Sequence, residues 1–166
     1  MSGRRSWVLG SALTALVVVV ALVAYLLVRS DPYVAPAPSG TVSKPDPAGA
    51  AQVLQQLEDA VSSRDQVAAA ALAPSDDPHA GDLLAAVAAN ADALHVDGFS
   101  ARYVDDVGAV DPAGGWQAAV DLTWRFDGFD RAPVHEEVLV GFQGEPGGSV
   151  GITSFGAGDR RSPLWL

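Results

Sequence analysis

The chain has 166 residues, no cysteine, and 20 acidic against 10 basic residues, which gives a net charge of −10. Its length suits one domain with an appendage. The absence of cysteine excludes disulfides and thiol nucleophiles, and the acidity argues against nucleic acid or anionic lipid headgroups as partners. Hydrophobic residues make up 49 % of the chain and the mean hydropathy is +0.19, which is high for a soluble domain and indicates a membrane segment.

The predicted membrane segment is the uncharged run of residues 7–28. As a helix rising 1.5 Å per residue it reaches roughly 33 Å, enough to cross the hydrocarbon core. The run is longer than the apolar region of a cleaved signal peptide, and the nearest A-x-A-like site, at 35–37, is followed by Pro38. Arg4 and Arg5 precede the run, so the positive-inside rule places the N-terminus in the cytoplasm. We therefore expect an uncleaved single-pass anchor and an extracytoplasmic C-terminal domain.

The remainder divides into a linker, a domain and a tail. Residues 1–29 form the cytoplasmic tip and anchor, and residues 30–46 are rich in proline, glycine and serine, which is typical of a semi-rigid linker. A proline-rich ligand for a partner is the alternative for this linker. Residues 47–158 are predicted to form an α+β domain, followed by a tail at 159–166. Residues 30–166 contain seven basic and 20 acidic residues, a net charge of −13.

Three helices are predicted to open the domain. Two Asp-Pro pairs, at 46–47 and 77–78, each provide an N-cap and a proline at the first helical position. A short helix over 66–73 lies between the two long ones. Apolar residues recur at helical spacing on each long helix: Val53, Leu54, Leu57 and Val61 on one, and Leu83, Leu84, Val87, Ala91 and Leu94 on the other.

The pattern then changes to the alternation that is typical of strands. Residues 94–107, 116–126, 134–143 and 149–157 are predicted as four strands, separated by glycine- and proline-containing turns. Three helices followed by an antiparallel meander predict an α+β fold in which the helices cover a curved, cone-like sheet of about four strands.

The second strand alternates strictly, so its two faces can be assigned. The apolar face, expected under the helices, comprises Trp116, Ala118, Val120, Leu122, Trp124 and Phe126, and the polar face is expected to be wet. The tail ends on Leu164, Trp165 and Leu166, which we expect to dock on the sheet or to lead into something else.

The order of elements resembles the nuclear transport factor 2-like (SnoaL-like) superfamily. Its helical hairpin often reads L…L..A…RD…A..AL, and the matching residues here are Leu54, Leu57, Ala60, Arg64, Asp65, Ala69, Ala70 and Leu72. Membrane-anchored versions, such as actinobacterial Mce-associated proteins and type IV secretion assembly factors, carry one transmembrane helix before this fold, as predicted here. The family's isomerases and cyclases use Tyr, Asp or His inside the cone, but no such motif aligns, so the resemblance implies no catalytic residue.

Asp121 and Arg125 are the charged candidates for chemistry. They share the polar face of the second strand but lie about 13 Å apart, too far to pair with each other. We expect each to meet a cross-strand neighbour, such as His135 or Glu137, in an exposed ion pair of little energy. A pocket with Asp121 as base and Arg125 as anion clamp is the alternative.

No cofactor or metal site is predicted. His79 follows Asp76 and Asp77, but helix N-capping explains that acidic cluster better than a cation. Residues 135–137 lack the second histidine of a zinc helix, and no phosphate-binding loop or nucleophile elbow is present.

Five aromatic residues are the predicted walls of a pocket, if the cone holds one: Tyr103, Trp116, Trp124, Phe126 and Phe142. Core packing is the alternative for all five. The leading functional prediction is a membrane-anchored, extracytoplasmic, non-catalytic domain that binds a protein partner of the bacterial cell envelope. A carrier of a small apolar ligand is the second prediction, and an isomerase- or cyclase-like enzyme is the third.

Overall fold

The computed structural model describes residues 44–145, 147–157, 160–163 and 165–166. The predicted membrane segment, most of the linker and Leu164 lie outside these described residues. Within the described part of the chain, no helix is both long enough and apolar enough to span a membrane.

Three helices open the described domain: α1 (Pro47–Ser63), α2 (Gln66–Ala70) and α3 (Pro78–Ala93). Both predicted Asp-Pro starts are confirmed. The Asp46 carboxylate accepts the backbone N–H of Gly49 at 3.0 Å, and the Asp77 carboxylate accepts that of Ala80 at 3.0 Å. These bonds satisfy donors that the first turn of a helix otherwise leaves free.

Helix α2 is shorter than predicted. It ends at Ala70, because the following residues form tight turns in which Leu72 N–H bonds to Ala69 C=O and Ala73 N–H bonds to Ala70 C=O. Pro74 then stops the helix, since its ring removes the backbone donor that another turn requires. Alanine-rich composition alone therefore overestimated the helix.

The four strands form one antiparallel sheet in the order β1 (Val96–Val107), β2 (Gly115–Phe126), β3 (Val134–Gly144) and β4 (Val150–Phe155). The prediction of three helices and a four-stranded antiparallel meander in an α+β fold is confirmed. Strand β4 is half as long as β2, with six residues against 12, and it covers only part of the edge of β3.

The predicted face assignment of β2 is confirmed. The helix-facing side, which we call the inner face, buries Ala118, Val120 and Leu122 completely, in one cluster with the apolar stripes of α1 and α3. On the outer face, which was expected to be wet, Gln117 and Arg125 are exposed but Ala119 is buried. Burial of this apolar face is the main source of stability in such a layered fold.

The C-terminal tail belongs to the core. Trp165 is 5 % exposed and lies between Phe99 and Trp124, with both ring centroids 5.7 Å from its own. The Asn90 side chain on α3 donates to the Trp165 carbonyl at 2.9 Å. The expected docking of the tail is thus confirmed for Trp165 and for Leu166, which packs against the same cluster.

Candidate functional site

The five aromatic residues predicted to line a pocket lie at two ends of the sheet. Tyr103, Trp116 and Phe142 form one cluster, with Phe142 5.9 Å from Tyr103 and 5.6 Å from Trp116 between ring centroids. Trp124 and Phe126 lie at the other end of β2. The structure therefore brings these side chains together in two groups rather than around one cavity.

The cluster around Phe142 is mostly buried, but Trp116 and Phe142 also line an open cleft of about 510 Å³. Trp116 and Phe142 are 6 % and 1 % exposed, whereas Tyr103 is half-buried and its hydroxyl donates to the Asp106 carboxylate. Burial, reinforced by this hydrogen bond, raises the pKa of Tyr103 well above its usual value. The phenol serves as a hydrogen-bond donor to Asp106.

An open apolar groove of about 570 Å³ lies at the other end of the sheet. We call it the terminal groove, and it is lined by Leu94, Trp124, Phe126, Glu136, Ser162, Pro163 and Trp165. Two of the five predicted aromatic residues thus line it, together with the tail. Leu94 and the tail were not among the predicted pocket residues, although the apolar end of the tail, around Trp165, was the expected place for an exposed apolar patch on a partner-binding domain.

Leu94 is a correction to the predicted stripe of α3. It is the C-cap residue, just beyond the last helical turn, and is 47 % exposed rather than buried with Leu84 and Val87. The turn after Phe126 exposes a second apolar side chain, Phe129, at 89 %. This end of the domain therefore presents several large apolar groups to solvent.

Glu136 is the one charged residue among the described residues that line the terminal groove. It lies opposite Leu122 in the ladder between β2 and β3, so it points to the inner face. Among the described residues its carboxylate has no ion-pair partner. The sequence carried a signal for this position, because Glu136 interrupts an apolar parity that otherwise includes Val134 and Val138.

The floor of the groove is held by packing. The indole N–H groups of Trp124 and Trp165 are buried and find no acceptor among the described residues. An unpaired buried donor costs about 1–3 kcal/mol. The aromatic contacts with Phe99 and the burial of the two indoles must therefore outweigh that cost.

The charged candidates Asp121 and Arg125 lie on the outer face, each with a counter-ion. Arg125 pairs with Asp97 and Asp121 pairs with Arg102, both across the ladder between β1 and β2. The predicted partners on β3 were wrong: Asp121 lies opposite Glu137, which has the same charge. His135 instead meets the Thr123 hydroxyl at 2.9 Å.

The ion pair between Arg125 and Asp97 predicts how the pKa of Asp97 responds to a substitution. The hydrogen bond and charge of Arg125 hold the pKa of Asp97 below its usual value. Because the pKa of Asp97 is lower in the folded than in the unfolded chain, its ionised carboxylate stabilises the fold at pH values above the unfolded pKa. This stabilisation is lost as the pH falls through the folded pKa. Arg125→Gln is expected to return the Asp97 pKa towards its usual value, measured by NMR titration of side-chain carboxyl carbons.

Arg131→Gln is the control for this titration, because Arg131 is exposed and forms no ion pair within the described residues. It is expected to leave the pKa of Asp97 unchanged. A pKa of Asp97 that does not respond to Arg125→Gln would show that the pair does not persist in solution.

Other clefts of the described residues lie near loops. One of about 830 Å³ lies between the α2–α3 loop and the β3–β4 turn, where Glu145 accepts the Ser75 backbone N–H at 2.7 Å. Asp77 lines it but is engaged as the cap of α3. Within the described ranges, no three His, Asp or Glu side chains are placed to hold a metal ion.

No family model, curated protein or solved structure matches this chain. Its function is therefore inferred from its own surfaces. Among the clefts described above, the terminal groove is the one whose walls are mainly large apolar side chains.

Proposed function

We propose that this chain is a membrane-anchored, extracytoplasmic, non-catalytic domain that binds a protein partner of the bacterial cell envelope through the terminal groove. The observation that carries the proposal is the exposure of large apolar side chains at one end of the domain, with Leu94 at 47 % and Phe129 at 89 %. Large contiguous apolar patches are rare on the surface of monomeric proteins, and where they occur they often mark interaction sites.

The position of the groove supports a protein partner. The described chain begins at Lys44, which shares a cleft with Gly114 and Gly148 in the turns at the opposite end of the sheet. Strand β2 runs from that end to Phe126, and its 12 residues cover about 36 Å. The groove therefore lies at the end of the sheet away from Lys44.

The packing of the described residues favours this proposal over the two alternatives. A carrier of a small apolar ligand needs an enclosed cavity, whereas the groove is open and its floor is occupied by Trp165. An enzyme needs titratable groups in a site that excludes water, and no charged residue of the described part is buried. A cone-like domain of the nuclear transport factor 2-like type is part of the same proposal, supported by the order of helices and strands.

One experiment addresses both the topology and the groove, because the chain contains no cysteine to remove. Leu94→Cys in the full-length chain is expected to react, in intact cells, with a membrane-impermeant maleimide that carries a photo-crosslinker. Val104→Cys is the matched control, since Val104 is 42 % exposed and lies on β1 away from the groove. On illumination, we expect a partner to be captured from Leu94→Cys and not from Val104→Cys.

The captured protein is then purified and its affinity for the full-length chain is measured. Leu94→Asp is expected to raise Kd at least ~10-fold, which corresponds to about 1.4 kcal/mol, while Val104→Asp leaves Kd unchanged. Labelling that requires permeabilised cells would overturn the extracytoplasmic placement. Equal capture from both cysteines, or equal Kd values for both aspartate variants, would overturn the role of the groove.

A further inference from the structure

Strand β3 has an edge that β4 leaves open. The β3–β4 ladder runs from Gly144 paired with Val150 to Val140 paired with Phe155, whereas β2 pairs with β3 as far as Val134. Residues 134–137 therefore have a strand partner on one side only within the described chain. We call this segment the open edge.

The backbone groups of the open edge can be assigned by alternation. Leu139 C=O accepts the N–H of Gly156 at 2.7 Å, so the backbone groups of Leu139 point away from β2. The register between β2 and β3 has no bulge, and backbone groups alternate along an antiparallel strand, so His135 and Glu137 direct theirs to the same side. No described residue bonds to these groups beyond the strand ladders.

The open edge is accessible. Val134, His135, Glu136 and Glu137 are all exposed. A row of exposed, unpaired backbone donors and acceptors is a template for another strand, and proteins often place a charge there to limit unwanted pairing. An extended segment that docks here gains main-chain hydrogen bonds on one side.

The open edge adjoins the terminal groove. Glu136 lines the groove, and Val134 lies opposite Trp124, another of its lining residues. Side chains alternate along a strand, so an added strand directs every second side chain to the inner face, beside Val134 and Glu136. One occupant can therefore engage both the backbone edge and the apolar groove.

Charge selects the kind of strand that fits. Glu136 has no counter-ion within the described residues, whereas Glu137 is paired with Arg160 at 2.7 Å. A lysine or arginine beside Glu136 supplies the missing charge, and the acidity of residues 30–166 attracts a basic partner. A second copy of this chain fits poorly, because its own open edge contains Glu136 and Glu137 but no lysine or arginine.

We propose that the partner adds an extended segment as a further strand beside residues 134–137. The side chains of this segment that point to the inner face of the sheet are alternately apolar and basic. This inference rests on the proposed function of the terminal groove. It adds the conformation and the charge of the partner segment.

The probe is a fluorescent seven-residue peptide with threonine at odd positions and valine, lysine and valine at even positions. Its binding to the full-length chain in neutral detergent is measured by anisotropy. Amide direction alternates along a strand, so the peptide N–H groups that face β3 belong either to the threonines or to the even positions. Two variants of the peptide are therefore compared, one N-methylated at the threonines and the other at the even positions. One of them is expected to bind at least ~10-fold more weakly than the original peptide, and the other to differ from it less than ~2-fold.

A charge swap tests the role of Glu136. Replacing the peptide lysine by glutamate is expected to weaken binding at least ~10-fold, and Glu136→Lys in the chain is expected to restore it. Amide hydrogen exchange at His135 and Glu137 is expected to slow when the original peptide binds. Equal binding of the two methylated peptides, or no slowing at these amides, would overturn the open edge as the docking site.

The outcomes separate this inference from the proposed function. If Leu94→Asp weakens the captured partner while the peptide does not bind at the open edge, the groove function stands and strand addition falls. If Leu94→Asp leaves partner affinity unchanged, the function of the groove falls and the inference falls with it.

Discussion

Trp165→Ala is expected to lower the free energy of unfolding by about 3–5 kcal/mol, the range for truncating a large aromatic side chain in a core. The indole is 5 % exposed and touches Phe99 on β1 and Trp124 on β2. Its removal leaves a cavity between the helices and the sheet. Urea unfolding of the full-length chain in neutral detergent, followed by far-UV circular dichroism, measures the change.

Phe129→Ala is the matched control, because Phe129 is also a large aromatic residue but is 89 % exposed. It is expected to change the free energy of unfolding by less than about 0.5 kcal/mol. If Trp165→Ala were as mild as this control, the tail would not be part of the folded core in solution. Because Trp165 also forms the floor of the terminal groove, the same variant is expected to weaken partner binding.

Gly151→Ala is expected to destabilise the domain by about 1–3 kcal/mol, the usual cost of forcing extra atoms into a packed site. A Cβ at this position would lie 2.7 Å from the backbone nitrogen of Pro74 and 2.8 Å from its Cδ. The proline ring is rigid, and the adjacent Leu72 C=O accepts the N–H of Ile152 at 2.9 Å. The α2–α3 loop must therefore move away from β4 to admit the methyl group.

Gly144→Ala provides the control for Gly151→Ala in the same sheet. The nearest atom to its added Cβ is Trp116 Cζ3 at 4.0 Å, an ordinary contact. It is expected to be neutral or to stabilise by up to about 1 kcal/mol, because alanine restricts the unfolded chain. Urea unfolding of both variants gives the comparison, and equal effects would show that the loop is not held against β4.

The terminal groove and the open edge both depend on strands of unequal length. Strand β4 is short, so within the described residues β3 has no strand partner on its second side at 134–137, next to the groove. The tail fills the floor of the groove but does not close it. The geometry thus leaves backbone groups, apolar side chains and the Glu136 carboxylate, which has no ion-pair partner in the described part of the chain, within reach of a single extended segment.

Local chemistry was sufficient to predict the elements. The Asp-Pro pairs at 46–47 and 77–78 start helices because a carboxylate cap and a fixed proline φ act within one turn. The alternation in β2 predicted which face is buried, because successive side chains of a strand point to opposite sides. The fold class follows from the order of these elements.

The ion-pair partners of the charged residues on β2 became clear only from the tertiary structure. The sequence placed Asp121 and Arg125 on the outer face but assigned their counter-ions to β3, whereas the register brings Asp97 and Arg102 from β1 to them. Two bulges in β1 set that register. No pattern within either strand encodes it, because a ladder depends on two segments that are distant along the chain.

The sequence by itself determined the helix starts, the strand faces and the apolar character of the tail, since each depends on neighbours a few residues away. Only the tertiary structure decided that Trp165 and Trp124 meet, that Phe142 joins a separate cluster, and that β4 ends before the open edge. These contacts join residues tens of positions apart, and their geometry is set by how the helices pack on the sheet. The candidate site is made of such contacts, which is why aromatic composition predicted two of its walls but not its place.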